Sequence, residues 1–253
     1  MRVRRTFAHV RRALIAGVAV AASCVDPNRP EQPLDSPAWV AQREQMVAQQ
    51  LRGRDITDER VLAAMAAVPR HAFVPPDLRA QAYADQALPI ARGQTISQPY
   101  VVALMSQLLD LHGTERVLEV GTGSGFMAAL LAHRARSVLT LEVHAPLAAI
   151  ASSNLRRAGV DNCHVRAQDG ARGAPQDGPF DIIVLSGSVN TVPQPLLEQL
   201  APGGRLLAIV GNEPMMRAVR VQCLADARFE TRDLFDTVAP RLRGFDEPSR
   251  FQF

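Results

Sequence analysis

Val117-Leu118-Glu119-Val120-Gly121-Thr122-Gly123-Ser124-Gly125 is an apolar strand that runs straight into a Gly-x-Gly-x-Gly turn. Glycines let such a turn adopt positive φ and let a ligand approach its backbone closely. The segment SGFMAALLAHRA (124–135) then carries apolar residues at helical spacing. Outward from this unit the alternation continues. The runs RVLEV (116–120), SVLTLEV (137–143), CHVRA (163–167), FDIIVL (180–185) and RLLAIVG (205–211) are bounded by Gly, Asp or Pro and read as buried strands. PLAAIASSNLRRAG (146–159) reads as a helix that ends at Gly159. Continuous apolar strands alternating with helices predict a parallel, doubly wound α/β sheet whose ligand lies at the carboxyl ends of the first strands.

Towards the N-terminus, Trp39, Met46 and Leu51, and then Val61, Leu62, Met65, Ala66 and Val68, recur at roughly helical spacing, which predicts two helices within 37–70. A connecting stretch covers 71–98. Pro99 opens a third helix to His112, with Val102, Met105, Leu108 and Leu109 on its apolar face. Proline suits a first turn because its missing N–H has no partner to lose. The first 24 residues have an arginine-rich start, an apolar run from Ala13 to Ala22 and then Ser23-Cys24. That is the layout of a signal peptide, and the run is too short to span a bilayer. Arg4-Arg5-Thr6-Phe7 and Ala21-Ala22-Ser23-Cys24 match a twin-arginine signal and a lipoprotein box only loosely. A disordered leader, or a start placed too far upstream, is the alternative. The expected organisation is a leader and linker over 1–36 and one domain over 37–253. Within that domain, helices and a signature loop cover 37–112, a ligand-binding core 113–211 and C-terminal strands 212–253.

The 28 basic residues, all arginine, stand against 25 acidic ones. Six of those arginines face Asp26 alone in the first 30 residues, so the net charge of +3 belongs to the leader and the rest of the chain is slightly acidic. The basic isoelectric point is therefore no sign of a nucleic-acid partner, and none is expected. A hydrophobic content of 47% argues against disordered or fibrous classes. Cys24, Cys163 and Cys223 form no Cys-x-x-Cys pair and the histidines have no metal-ligand spacing, so neither a metal nor a disulfide framework is expected.

The ligand can be read further. Phe126 stands where a dinucleotide fingerprint needs glycine, which disfavours a pyrophosphate. The second strand ends at Glu142, where a carboxylate can accept both hydroxyls of a ribose. Glu119 adds negative charge beside the turn and favours a cation. Asp169-Gly170, after the third strand, puts an acid within reach of an adenine amino group, a surface Asp-Gly turn being the other reading. A ribose, no phosphate and a positive amino-acid moiety describe S-adenosyl-L-methionine. Its expected binding residues are Glu119, Gly121, Gly123, Gly125, Glu142, Asp169 and Gly170.

With these motifs in order, the chain resembles the protein-L-isoaspartate O-methyltransferases over about residues 44–211. The likeness lies in ITDERVLAAMAAVPRHAFVP (56–75), ALPIARGQTISQPYVVALM (87–105), RVLEVGTGSGF (116–126), the Glu142 strand, QDGARG (168–173), FDIIVL and PLLEQLAPGGRLLAIVG (195–211). It implies a seven-strand Rossmann-like methyltransferase sheet with an N-terminal helical extension. It also implies a monomeric cytosolic repair enzyme that methylates L-isoaspartyl residues of damaged proteins, with Ser97 as the catalytic residue. A peptide carboxylate, with a free pKa of about 3.3–3.9, is already ionised at neutral pH and needs no general base. Rate should then come from holding its oxygen in line with the methyl group at about 3–3.5 Å. In this reading Ser97, with Thr95, binds and orients the carboxylate; Ser97 as N-cap of the third helix is the other reading. The ester product would collapse to succinimide and partly reopen to normal aspartate.

Other residues read more plainly. His133 and His144 are expected at the surface or in packing, Ser186 and Ser188 in a pocket wall, and Arg134, Arg136, Arg156 and Arg157 as solvated charges. Tyr100 stands where many relatives have His. The tail LFDTVAPRLRGFDEPSRFQF (234–253) departs from the family, whose Arg-Phe-Val-Pro-Leu segment closes over the substrate; Val238, Pro240 and Leu242 read as its remnant. Alternative functions are methylation of another carboxylate or small molecule, and a nucleoside-binding envelope protein without transferase activity. Phe126 leaves an NAD-dependent oxidoreductase more remote. Cytoplasmic residence is expected, with a periplasmic or lipid-anchored form if the leader is a true signal.

Overall fold

A computed structural model describes residues 35–245. The arginine-rich start, the apolar run and Cys24 lie outside the described residues, as do residues 246–253. Helix α1 (Pro37–Met46) starts on proline and continues as a π-helical turn, Val47–Arg52. Helix α2 (Glu59–Ala67) is capped by Asp58, whose carboxylate accepts the Arg60 N–H at 2.9 Å; an oxygen at this position satisfies a donor the helix leaves open. The connecting stretch contains the 3₁₀ turns Arg70–Phe73 and Pro76–Gln81 and a two-stranded ribbon, β1 (Leu88–Pro89) against β2 (Thr95–Ile96). Helix α3 (Pro99–Leu108) opens on the predicted proline and stops a turn early, Asp110 taking a φ of 50°.

Seven strands follow: β3 (Arg116–Val120), β4 (Ser137–Glu142), β5 (Cys163–Ala167), β6 (Phe180–Val189), β7 (Leu200–Asn212), β8 (Met215–Cys223) and β9 (Phe229–Asp236). Helices α4 (Phe126–Ala132), α5 (Ala145–Arg157) and α6 (Gln194–Leu197) connect them. The order across the sheet is β5-β4-β3-β6-β7-β8-β9. The first five are parallel, as the alternation predicts. The last two are antiparallel and complete the seven-strand sheet as a mixed one. The reason is local: β7 ends at Asn212 and β8 starts at Met215, and so short a link can make only a hairpin.

Strand alternation divides the core. Leu118, Val120, Ile183 and Leu185 face one side with Leu196 of α6, whereas Val117, Ile182 and Val184 face the other with Met105, Leu109 and Leu131. A further apolar cluster joins α1, α2 and the Arg70–Phe73 turn to α4. There Phe126 meets Phe73 edge-on at 5.6 Å. The residue that excludes a dinucleotide turn is thus a hinge pin between the helical extension and the sheet.

Arg134 and Arg70 are both buried, the first of them against its reading. Arg134, expected in solvent, is buried; its Nη1 donates to Ser106 O and Oγ (2.9 and 2.8 Å) and its Nη2 pairs with Asp58 at 3.2 Å. It ties α4 to α3 and to the cap of α2. Arg70 is wholly buried, donates through Nε to Ala82 O at 2.8 Å and lies over the Phe126 ring at 4.9 Å. Burial lowers its pKa to about 9. The folded body also begins before Pro37, since Asp35 pairs with the buried Arg43 at 2.6 Å.

Candidate active site

The glycine turn sits at the carboxyl end of β3. Gly121 and Thr122 both donate to Leu141 O of β4, at 2.8 and 3.3 Å, which stitches the turn to the next strand. Gly121, Gly123 and Gly125 have φ values of 95°, 56° and 90°, where a side chain is strained. Two clefts open beside the turn. The first, of about 620 Å³, is lined by Thr95, Ser97, Met105, Glu119, Gly121 and Gly123 among others. The second, of about 520 Å³, includes Glu142, Val143, His144, Gly170, Leu242 and Arg243. Both contain Thr95, Gly121, Gly123 and Ser186, so they are two halves of one trough.

In the first half, the β1–β2 ribbon delivers Thr95 and the start of α3 delivers Ser97. The Ser97 hydroxyl has no hydrogen-bond partner among the described residues, and the N-cap of α3 is Gln98, without a side-chain cap bond. The capping role for Ser97 is therefore not taken up. Glu119 projects from mid-strand, fully buried. Its two oxygens accept the Ser186 hydroxyl at 2.6 Å and the Thr140 hydroxyl at 2.7 Å. Burial, aided by Glu142, pushes its pKa up to about 7 against the lowering pull of those bonds. Near neutral pH it is about half ionised, which tempers the full negative charge read from the sequence. Among the described residues Glu119 is the one titratable side chain lining this half; the other walls are hydroxyls, glycines and apolar residues.

In the second half, Glu142 is buried at the end of β4. Its oxygens accept the Gly123 N–H and the His144 N–H, each at 2.9 Å. The carboxylate therefore shapes the glycine turn as well as facing the cleft. His144, read as a packing or surface residue, lines this cleft, and its Nε2 is buried without a partner. Sequence reasoning missed it, although its place two residues beyond a strand-end acid was a usable signal. Gly170 also lines the cleft, but its glycine answers to packing: a Cβ there would lie 2.3 Å from Val120 Cγ1.

Two residues expected at the ligand lie outside both linings. Gly125 turns toward α5, where a Cβ would stand 3.4 Å from Ala151 and Leu155. Asp169 is exposed and accepts the Ala171 N–H at 2.9 Å, the local Asp-Gly turn. Ser186 lines both halves, whereas Ser188 is buried behind them. Among the described residues no group of His, Cys, Asp and Glu could hold a metal, and no helix is long and apolar enough to cross a membrane.

This trough has a carboxylate in each half and an orphaned imidazole nitrogen in the second, which fits a ligand with a cationic end and a ribose. The family model for protein-L-isoaspartate (D-aspartate) O-methyltransferase matches residues 41–238. The chain belongs to the protein-L-isoaspartate O-methyltransferase family. A member from Methanoculleus marisnigri is 52% identical over 180 residues, spanning 71% of this chain and 82% of its own. One from Shewanella sediminis is 51% identical over 178 residues, 70% and 73% of the two chains. A solved protein-L-isoaspartate O-methyltransferase superposes with a TM-score of 0.71 at 26% identity, covering 80% of this chain and 66% of its own. A Plasmodium falciparum structure of the same description, in complex with S-adenosyl-L-homocysteine, shares the fold at 22% identity with a TM-score of 0.69, covering 79% and 98%. The family match extends the likeness beyond residue 211, through β8 and β9.

Proposed function

We propose that the protein transfers a methyl group from S-adenosyl-L-methionine to the free carboxylate of L-isoaspartyl residues in proteins and peptides, the first step of their repair. One observation carries the reading: in a chain of this family, the unpartnered Ser97 hydroxyl and Thr95 share a cleft with the Gly121–Gly123 turn. When bound, the co-substrate supplies an electrophilic methyl group. Glu119 faces its cationic end and Glu142, with His144, its ribose. Ser97 and Thr95 donate hydrogen bonds that orient the attacking carboxylate. Val101, Val102 and Met105 form an apolar wall that keeps water from the reacting atoms. Among the described residues the half that holds Ser97 has no imidazole, amine or thiol to serve as base, which suits a nucleophile already ionised.

Ser97→Ala should lower kcat/KM for an isoaspartyl peptide by about 10–100-fold, because positioning supplies the rate, and should leave the affinity for S-adenosyl-L-homocysteine unchanged. Transfer of labelled methyl groups to matched isoaspartyl and aspartyl peptides, with calorimetric binding alongside, reads both. Equal labelling of the two peptides, or full activity of Ser97→Ala, would contradict the proposal. Labelling of neither peptide, with the nucleoside still bound, favours the reading in which another carboxylate is the acceptor; the tail beyond Val238, outside the family match, motivates that second reading. The protein is taken to act as a monomer in the cytoplasm, where the co-substrate is made, and fractionation with sequencing of the mature N-terminus tests this.

A further inference from the structure

Three arginines are buried among the described residues, and two of them meet a carboxylate: Arg43 pairs with Asp35 at 2.6 Å and Arg134 with Asp58 at 3.2 Å. Arg70, the most deeply buried of the three, makes no ion pair. Its Nε donates to Ala82 O at 2.8 Å, while Nη1 and Nη2 are buried without a hydrogen-bond partner. Asp85, the carboxylate whose charge reaches Arg70, is already committed to Arg54 at 2.9 Å and to the Tyr100 N–H at 3.2 Å. A cation taken out of water without a counter-charge is costly, so an anion brought near it gains what the fold leaves unmatched. The place of this cation matters. Its guanidinium lies over the Phe126 ring at 4.9 Å. Phe126, Ile96 and Val102 line the half of the trough that holds Ser97, and the same three belong to the apolar cluster that contains Phe73 and Ala82. One layer of apolar side chains therefore lies between Arg70 and the acceptor's place, and such a layer screens a charge far less than water does. That half has no cationic side chain of its own among the described residues, and its one ionisable wall is Glu119. An anionic acceptor entering it has hydroxyls to hold it and an acid beside it.

We propose that Arg70 is a positioning residue that supplies the positive field for the acceptor's carboxylate, acting through the Phe126 wall without touching the substrate. The bound carboxylate is then the counter-charge that Arg70 lacks in the fold. Ser97 and Thr95 direct the attacking oxygen, and Arg70 sets how strongly an ionised acceptor is preferred to a neutral one of the same shape. This rests on the reading of the protein as a methyltransferase for isoaspartyl carboxylates.

Steady-state methyl transfer by the full chain at saturating S-adenosyl-L-methionine tests it, with an isoaspartyl peptide as acceptor and its isosteric carboxamide as competitive inhibitor. Wild type should hold the carboxylate about tenfold or more tighter than the carboxamide. Arg70→Met should raise KM for the carboxylate by about tenfold and keep kcat within about threefold, because a field that acts on the bound acceptor is lost from binding. The inhibition constant of the carboxamide should stay within about twofold, since a neutral peptide feels little of that field. A purely structural role would weaken both peptides alike. Arg70→Gln, which retains a donor for Ala82 O, is the second neutral variant and should behave as Arg70→Met does. An unchanged KM in a neutral variant, or an equal loss for carboxylate and carboxamide, overturns the proposal. If neither variant folds, wild type decides: a carboxamide held as tightly as the carboxylate overturns it. A wild-type protein that methylates no isoaspartyl peptide sinks the acceptor reading and this proposal together, whereas methylation with an unchanged KM in Arg70→Met sinks the proposal alone.

Discussion

Glu119 shows how far one residue's meaning depends on its surroundings. In the sequence it is an acid before a glycine turn, and it reads as a charge aimed at a cation. In the fold it is sealed between β4 and β6, held by Thr140 and Ser186, and its pKa stands at about 7 instead of 4.5. The native state keeps a proton that the unfolded chain releases as pH rises past 4.5. This group's contribution to stability is therefore fully present below that pH and is lost as pH rises through about 7. Replacing Glu119 by Gln should remove the slope, so that wild type loses about 2–3 kcal/mol relative to the variant between pH 5 and pH 8. Urea unfolding of the ligand-free proteins at the two pH values measures this. Parallel stability profiles would show that Glu119 titrates normally. Glu142 makes the complementary case, since its position at a strand end was legible but its grip on the Gly123 and His144 amides was not.

The elements divide in the same way. Strands β3 to β7 and helices α1 to α5 follow from apolar periodicity, proline and capping residues, because those signals act within a few residues. Strand β6 runs on through Ser186, Gly187 and Ser188, which carry no strand signature; neighbouring chain extends it. Arg134 was misread because an arginine at a helix end is usually solvated. Only the packing of α2, α3 and α4 gives it Asp58 and Ser106 as partners. Arg134→Ala would leave Asp58 with Arg60 as its remaining partner and take the Arg134 donor from Ser106 O and Oγ beside a cavity, and should destabilise the protein by about 2 kcal/mol. Arg134→Met, which refills the volume, should recover part of the loss. Equilibrium denaturation distinguishes the two, and a loss below about 1 kcal/mol for Arg134→Ala would mean that the bridge matters little, as surface pairs do.

For the whole molecule, the sequence places the start of the folded body at residue 37. Asp35 moves that boundary outward because buried Arg43 needs its carboxylate. A chain from which residues 1–32 are removed should keep its melting temperature within about 2 °C and its nucleoside affinity within error. A large drop in either, read by differential scanning fluorimetry and calorimetry, would make the leader part of the fold. The positive net charge leaves with those residues, so the remaining body has no general attraction for polyanions.

The sequence by itself determined the sheet class, the segments that form its parallel strands, the glycine turn, the positions of Ser97 and Glu142 and the family. All of these are written in short windows of periodicity and turn chemistry, or in motifs that keep their order. Tertiary structure alone decided that Asp169 and Gly125 stand outside the trough while His144, Leu242 and Arg243 stand in it. It also decided that Gly121 makes room for a leucine 121 residues later in the chain. Such contacts join residues with no local relation, and they exist only because close packing leaves one place for each side chain.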